Sequence, residues 1–127
     1  MTAMTQVLVV EDEVVIRNAL KRLLERHEYQ VSEAGTVKES LEKYDMDEFD
    51  VIISDLRLPG APGTDLIKAT NTPVLIMTSY SSIRSAIDSM KMGAVDYIAK
   101  PFEHKEIIET VGKIVREHTR THKREKA

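Results

Sequence analysis

Phe49-Asp50-Val51-Ile52-Ile53-Ser54-Asp55-Leu56-Arg57-Leu58-Pro59-Gly60 is an apolar run that ends on a carboxylate and opens into a turn. The run reads as a buried strand, and the Pro59-Gly60 pair marks the turn that ends it. In an open parallel sheet, ligands sit at the carboxyl ends of the strands, where loops meet solvent. Asp55 stands at such an end and is therefore a candidate site residue. Glu11-Asp12-Glu13 follows a second apolar run, Val7-Leu8-Val9-Val10, in the same relation to its strand. Carboxylates at two strand ends point to a cation and to phosphoryl chemistry.

Working outward from Asp55, short runs rich in β-branched residues recur at Val7 to Val10, Tyr29 to Ser32, Val51 to Ser54, Val74 to Thr78 and Tyr97 to Ala99. Helical periodicity fills each gap. Ile16, Leu20, Leu23, Leu24 and His27 form the stripe of a first helix, with Arg17, Lys21 and Glu25 on its opposite face. Val37, Leu41 and Tyr44 mark a second helix, and Leu66 with Ile67 a third of about two turns after the loop Gly60-Ala61-Pro62-Gly63. Ile83, Ala86, Ile87 and Met90 mark a fourth, with Ser82 as its start signal and Gly93 near its end. Ile107, Ile108, Val111, Ile114 and Val115 mark the fifth. Strands alternating with helices imply right-handed crossovers and a parallel sheet covered on both faces. The expected fold is α/β: a flavodoxin-like, doubly wound, five-stranded parallel sheet of order 2-1-3-4-5 with five helices. That order sets the Glu11-Asp12 cluster beside Asp55 and brings Thr78 and Lys100, which follow the fourth and fifth strands, to the same edge.

A chain of 127 residues fits one domain with one core. The net charge of -3 gives no electrostatic reason to expect nucleic-acid binding by this domain. The absence of cysteine excludes disulfides, thiolate catalysis and thiolate metal sites. No apolar run approaches the roughly 18 residues that span a bilayer, and Met1 to Gln6 lacks the character of a signal peptide. The expectation is a soluble, cytoplasmic protein. Beyond Val115 the apolar stripe gives way to the basic His118-Thr119-Arg120-Thr121-His122-Lys123-Arg124-Glu125-Lys126, which reads as a linker or a frayed helix end. The domain is expected over residues 1–117 and a basic linker or tail over 118–127.

Mg²⁺ favours oxygen ligands, keeps several waters, and is commonly held by one or two carboxylates plus phosphate oxygens. Asp12 and Asp55 are candidate ligands, with Glu11 acting directly or through water. A carboxylate can also attack phosphorus and become an aspartyl phosphate, and Asp55 is the better placed nucleophile. Phosphoryl transfer asks mainly for in-line positioning and charge cancellation, which Mg²⁺, the Lys100 ammonium and the Thr78 hydroxyl would supply. Each residue also has a plainer reading. Asp12 could cap the first helix, Asp55 could cap a turn, and Lys100 alone could be a solvated side chain. Capping, however, does not require Thr78 and Lys100 at two further strand ends.

Val9-Val10-Glu11-Asp12-Glu13, Ser54-Asp55-Leu56-Arg57-Leu58-Pro59-Gly60, Met77-Thr78-Ser79 and Asp96-Tyr97-Ile98-Ala99-Lys100-Pro101-Phe102 together resemble a response-regulator receiver domain of two-component signalling. The resemblance runs from Gln6 to about Glu117, and Met90-Lys91-Met92-Gly93-Ala94-Val95-Asp96-Tyr97 is most similar to receivers attached to AAA+ (NtrC-type) transcriptional activators. It implies that Asp55 accepts a phosphoryl group from a sensor histidine kinase or phosphotransfer protein, with Mg²⁺ on Asp12, Asp55 and the Arg57 backbone carbonyl. It also implies that Lys100 pairs with the phosphorylated site, that the Lys100-Pro101 bond is cis, and that Thr78 and Tyr97 form a switch pair. A C-terminal output domain absent from this chain, transcriptional control, and homodimerisation on phosphorylation through the fourth helix, fifth strand and fifth helix follow as expectations, with no turnover of small molecules. Ser79 stands where the family often has a smaller residue, which predicts a changed phosphate lifetime. The rival reading is a Mg²⁺-dependent phosphatase of the haloacid-dehalogenase type, but its second aspartate would fall at Arg57. A receiver fold that signals without phosphorylation is the other alternative.

Overall fold

The computed structural model describes residues 4–79 and 83–126, with side chains as far as His118. In chain order the elements are β1 (Gln6–Val10), α1 (Val14–Arg26), β2 (Gln30–Ala34), α2 (Val37–Lys43), a 3-10 turn (Met46–Glu48), β3 (Val51–Asp55), α3 (Asp65–Ala69), β4 (Val74–Ser79), α4 (Ile83–Met92), β5 (Asp96–Lys100) and α5 (His104–Lys126). The strands form one parallel sheet ordered β2-β1-β3-β4-β5, the expected arrangement.

Alternation along each strand sends neighbouring side chains to opposite faces, and this divides the core in two. Val7, Val9, Val51, Ile53, Leu75 and Met77 pack with residues of α1 and α5. Leu8, Val10, Ile52 and Ile76 pack on the other face with Val37 of α2, Leu66 of α3 and Ala94. Because both faces are covered, the central strands are apolar along most of their length, which explains the long apolar runs in the sequence, and the buried polar Ser54 and Thr78 come only near their carboxyl ends. Each fully buried Val, Leu or Ile contributes about 1.5–3 kcal/mol, so the site is carried at the ends of the most deeply buried strands.

Several helical stripes sit differently from the sequence expectation. His27 is not a core-facing member of α1 but its exposed C-cap, with ring Nδ1 3.0 Å from the Leu23 carbonyl. In α2, Leu41 is 47% exposed while Ser40 is buried, its hydroxyl donating to the Thr36 carbonyl. A small residue that satisfies its own hydroxyl within the helix can take the inner position. Tyr44 lies just past that helix and donates to the Glu33 carbonyl. On α4 the buried residues are Ala86 and Ser89, whereas Ile83, Ile87 and Met90 face outward. Helix α3, at five residues, is shorter than the two turns expected, because Thr70 is already extended. β2 begins at Gln30 and not at Tyr29, since the turn at Glu28 (φ 68°) still holds the Tyr29 amide on the Leu24 carbonyl. The stretch read as a linker or a frayed helix end continues α5 to Lys126, while Ser82 lies outside the described residues. No described helix is long and apolar enough to cross a membrane.

Candidate functional site

The site is assembled by register. Val10 pairs with Ser54 across β1 and β3, so Glu11 and Asp55 leave adjacent strands at the same level. Asp55 pairs with Met77 of β4, and Ser79 with Lys100 of β5. Lys100 Nζ donates to Glu11 Oε1 at 2.8 Å and to Asp55 Oδ2 at 2.7 Å, reaching across the end of β4 to do so. The second oxygen of Glu11 accepts from the Glu13 amide at 3.2 Å, and Asp55 Oδ1 accepts from the Arg57 amide at 3.3 Å. That last bond is the turn-capping role considered for Asp55, and it coexists with the ion pair. Asp12 does not cap α1, whose N-cap is Glu13 without a side-chain bond.

Glu11, Asp12 and Asp55 each present an oxygen within 4.8 Å of the others, the first buried, the second exposed and the third half-buried. Burial raises the Glu11 pKa above its ordinary value, against the hydrogen bond from Lys100, which lowers it. Burial works against the charge of Lys100, yet hydrogen bonds to Asp55 and Glu11 leave its pKa above the ordinary value. Three carboxylates around one ammonium leave an excess of negative charge, and all the donors are hard oxygens. Such a set fits Mg²⁺ and offers nothing to a soft metal.

The remaining candidates lie around this centre. Thr78 is buried at 2% exposure, its hydroxyl 3.4 Å from the Ser79 carbonyl that accepts from it, and Ser79 is exposed at the strand end. Tyr97 is partly buried and packs against the core on the α2 and α3 face. The Arg57 backbone lies in the turn closed on Asp55, and the Lys100-Pro101 peptide is cis.

Two residues escaped the sequence reading. Gly63 donates its amide to the Leu56 carbonyl at 2.9 Å, and a Cβ added to it would lie 2.1 Å from the Asp55 carbonyl oxygen. Arg17, assigned to the outer face of the first helix, donates through Nη1 to the Glu11 carbonyl at 2.8 Å. The glycine-proline-glycine loop was a signal for the first; nothing in helical periodicity pointed to the second.

The sheet order, the acidic strand ends and the bridging lysine define a doubly wound α/β domain with an acidic centre at the carboxyl edge of its sheet. Residues 7–112 match the family model described as the response regulator receiver domain, and the chain belongs to that family. It is 36% identical over 112 residues to the transcriptional regulatory protein ZraR of Escherichia coli, covering 84% of this chain and 25% of that one. With the transcriptional regulatory protein ResD of Bacillus subtilis it shares 32% identity over 121 residues, covering 92% of this chain and 50% of ResD. The chain thus spans half or less of the length of these two relatives. Among solved structures, a receiver domain from Clostridium thermocellum matches with TM-score 0.85 and 26% identity, covering 91% of this chain and 98% of that one. Full-length FixJ from B. japonicum matches with TM-score 0.83 and 28% identity, covering 96% of this chain and 63% of FixJ. Members of the family are signalling modules of two-component systems.

Proposed function

We propose that the chain is a phosphorylation-controlled switch in which Asp55 receives a phosphoryl group from a sensor histidine kinase or a phosphotransfer protein. The observation that carries this reading is the Lys100 ammonium seated between Glu11 and Asp55 at 2.8 and 2.7 Å, where the three carboxylates gather. A carboxylate oxygen of Asp55 forms the new O–P bond as the N–P bond of a donor phosphohistidine breaks, and the imidazole nitrogen leaves with the bonding pair. Glu11, Asp12, Asp55 and the Arg57 carbonyl would hold Mg²⁺, which when bound offsets charge on the transferred phosphoryl oxygens. Lys100, already paired with Asp55, has only to turn its ammonium onto the phosphoryl group.

Thr78 and Tyr97 then act as the switch pair. The buried hydroxyl turns to the phosphoryl group and the partly buried ring follows, so phosphorylation favours one of two pre-existing arrangements. Ser79, exposed opposite Lys100 in the β4–β5 register, sets access for water and so the lifetime of the acyl phosphate. A groove of about 410 Å³ between α1 and the start of α5, lined by Val15, Ile16, Ala19, Leu20, Pro101 and Phe102, opens beside Lys100 and offers the phosphodonor an apolar seat. The outward residues of α4, Ile83 at 42%, Ile87 at 48% and Met90 at 38% exposure, supply an association surface. Output is transcriptional control in the cytoplasm through a further domain, with residues 1–117 as the receiver and 118–127 as the junction.

The test is incubation with Mg²⁺ and acetyl phosphate or beryllofluoride, followed by mass spectrometry and amide spectra of the parent and Asp55→Asn. With acetyl phosphate the parent gains one phosphoryl group, and with either reagent it shifts resonances of β4, α4 and β5; the variant does neither. Equal responses in the two proteins would sink the proposal.

A further inference from the structure

We infer that Arg17 is a positioning residue for the cation site: its guanidinium pins the peptide joining Glu11 to Asp12 and thereby aims the Asp12 carboxylate at Asp55. The inference rests on the reading of Glu11, Asp12 and Asp55 as a Mg²⁺ site.

Arg17 sits in the first turn of α1, its amide bonded to the Glu13 carbonyl at 2.9 Å. Its side chain folds back over the end of the sheet. Nη1 donates to the Glu11 carbonyl at 2.8 Å, and a bond from a charged donor is about twice as strong as a neutral one. Nε faces Oε1 of Glu33 on β2 at 3.5 Å, and among the described residues neither of these buried atoms has a hydrogen-bond partner. Attraction between unlike charges therefore holds the guanidinium between β1 and β2. It also lies over Gly35, where an added Cβ would stand 3.4 Å from Nη1. The group is thus held by the end of β1, by β2 and by the turn into α2.

What this does for the site follows from how its acids are supported. Glu11 is fixed directly by Lys100 and by the Glu13 amide. Asp55 is fixed by Lys100 and the Arg57 amide. Asp12 is exposed, and among the described residues its carboxylate has no hydrogen-bond or ion-pair partner. Only the backbone aims it. The carbonyl held by Arg17 belongs to the peptide plane immediately before Asp12, so rotation of that plane would swing the carboxylate from its neighbours. Groups that orient metal ligands from behind commonly cost roughly tenfold or more in metal affinity when removed.

Mg²⁺ binding by calorimetry, urea unfolding without metal, and the ¹⁵N shift of the Asp12 amide in metal-free protein separate this role from a merely structural one. The parent is compared with Arg17→Met, Arg17→Lys, Glu33→Gln and Asp12→Asn. Arg17→Met is expected to bind Mg²⁺ about tenfold more weakly and to move the Asp12 amide without metal. Arg17→Lys, which can still donate to the Glu11 carbonyl, recovers most of the affinity, and Glu33→Gln shows a smaller loss in the same direction. Parent-like Mg²⁺ affinity and an unmoved Asp12 amide in Arg17→Met overturn the inference, even if its stability falls. Should Arg17→Met not fold, parent-like affinity in Glu33→Gln overturns it instead. Failure of the parent to bind Mg²⁺, or equal binding by Asp12→Asn, removes the cation reading and the role of Arg17 with it.

Discussion

Replacing Gly63 by alanine tests how the loop after β3 is seated on Asp55. The added Cβ would stand 2.1 Å from the Asp55 carbonyl oxygen and 2.5 Å from Ser54 Oγ. Ser54 can rotate its hydroxyl, which now donates to that same carbonyl at 3.0 Å. The carbonyl cannot yield without moving Asp55 itself, and it lies nearly an ångström inside any real Cβ contact. Forcing one methyl into such a place costs about 1–3 kcal/mol. Against this, alanine restricts the unfolded chain and returns about 0.4–1 kcal/mol. The clash wins, leaving a net loss of about 1–2 kcal/mol, or roughly 4–8 °C in Tm for a chain of this length. Gly60→Ala is the control. Gly60 has φ +87° and nothing within 4 Å of an added Cβ, so its cost of about 1–2 kcal/mol is backbone strain alone. Urea unfolding should find the two variants similarly destabilised. Phosphorylation by acetyl phosphate at saturating Mg²⁺ should be slowed in Gly63→Ala and parent-like in Gly60→Ala. Parent-like stability of Gly63→Ala, or equal slowing in both variants, refutes the reasoning.

Two further outcomes follow from the charges and the surface. Because the Glu11 pKa is raised in the folded state, the folded protein holds that proton more tightly than the unfolded one, and stability is lost as pH rises from 4.5 through the native value. Glu11→Gln removes this loss, so urea unfolding across the acid range should give a curve that falls less than the parent's over that window; parallel curves would contradict the assigned cause. Lys100, also raised, keeps its contribution below 10.5 and loses it as pH rises from there through its native value, outside that window. Ile87→Glu, at a position 48% exposed, should change stability by no more than about 0.5 kcal/mol and leave phosphorylation of Asp55 intact. It should weaken beryllofluoride-induced self-association in sedimentation velocity, and undiminished association would exclude α4 from the contact.

The fold was legible because both signals it depends on are periodic. Unbroken β-branched runs mark the strands covered on two faces, and helical spacing marks the segments between them. Asp55, Glu11 and Lys100 were legible as charges abutting such runs. Leu41 and the outer residues of α4 were misleading because apolar spacing reports a stripe without saying which way it faces; the small Ser40, Ala86 and Ser89 take the inner positions. The 3-10 turn at Met46–Glu48 is too short to show a period. Arg17 was not legible as a site residue, and Gly63 only through its glycine-proline-glycine loop, because what they touch is backbone carbonyl, at Glu11 and Asp55, and a carbonyl leaves no letter in a sequence.

The sheet has two open margins, β2 and β5, and the second carries Lys100 into the acidic centre. An unpaired strand edge invites another chain to add to it. β5 spans only Asp96 to Lys100, begins and ends on a charge, and is followed by Pro101, which has no amide to donate. Lys100 therefore holds two posts: it offsets part of the negative charge of the acidic centre, and it helps keep this margin from recruiting a foreign strand. Variants that remove it endanger solubility along with the charge balance of that centre, whereas changes at Asp55, two strands further in, leave that margin guarded.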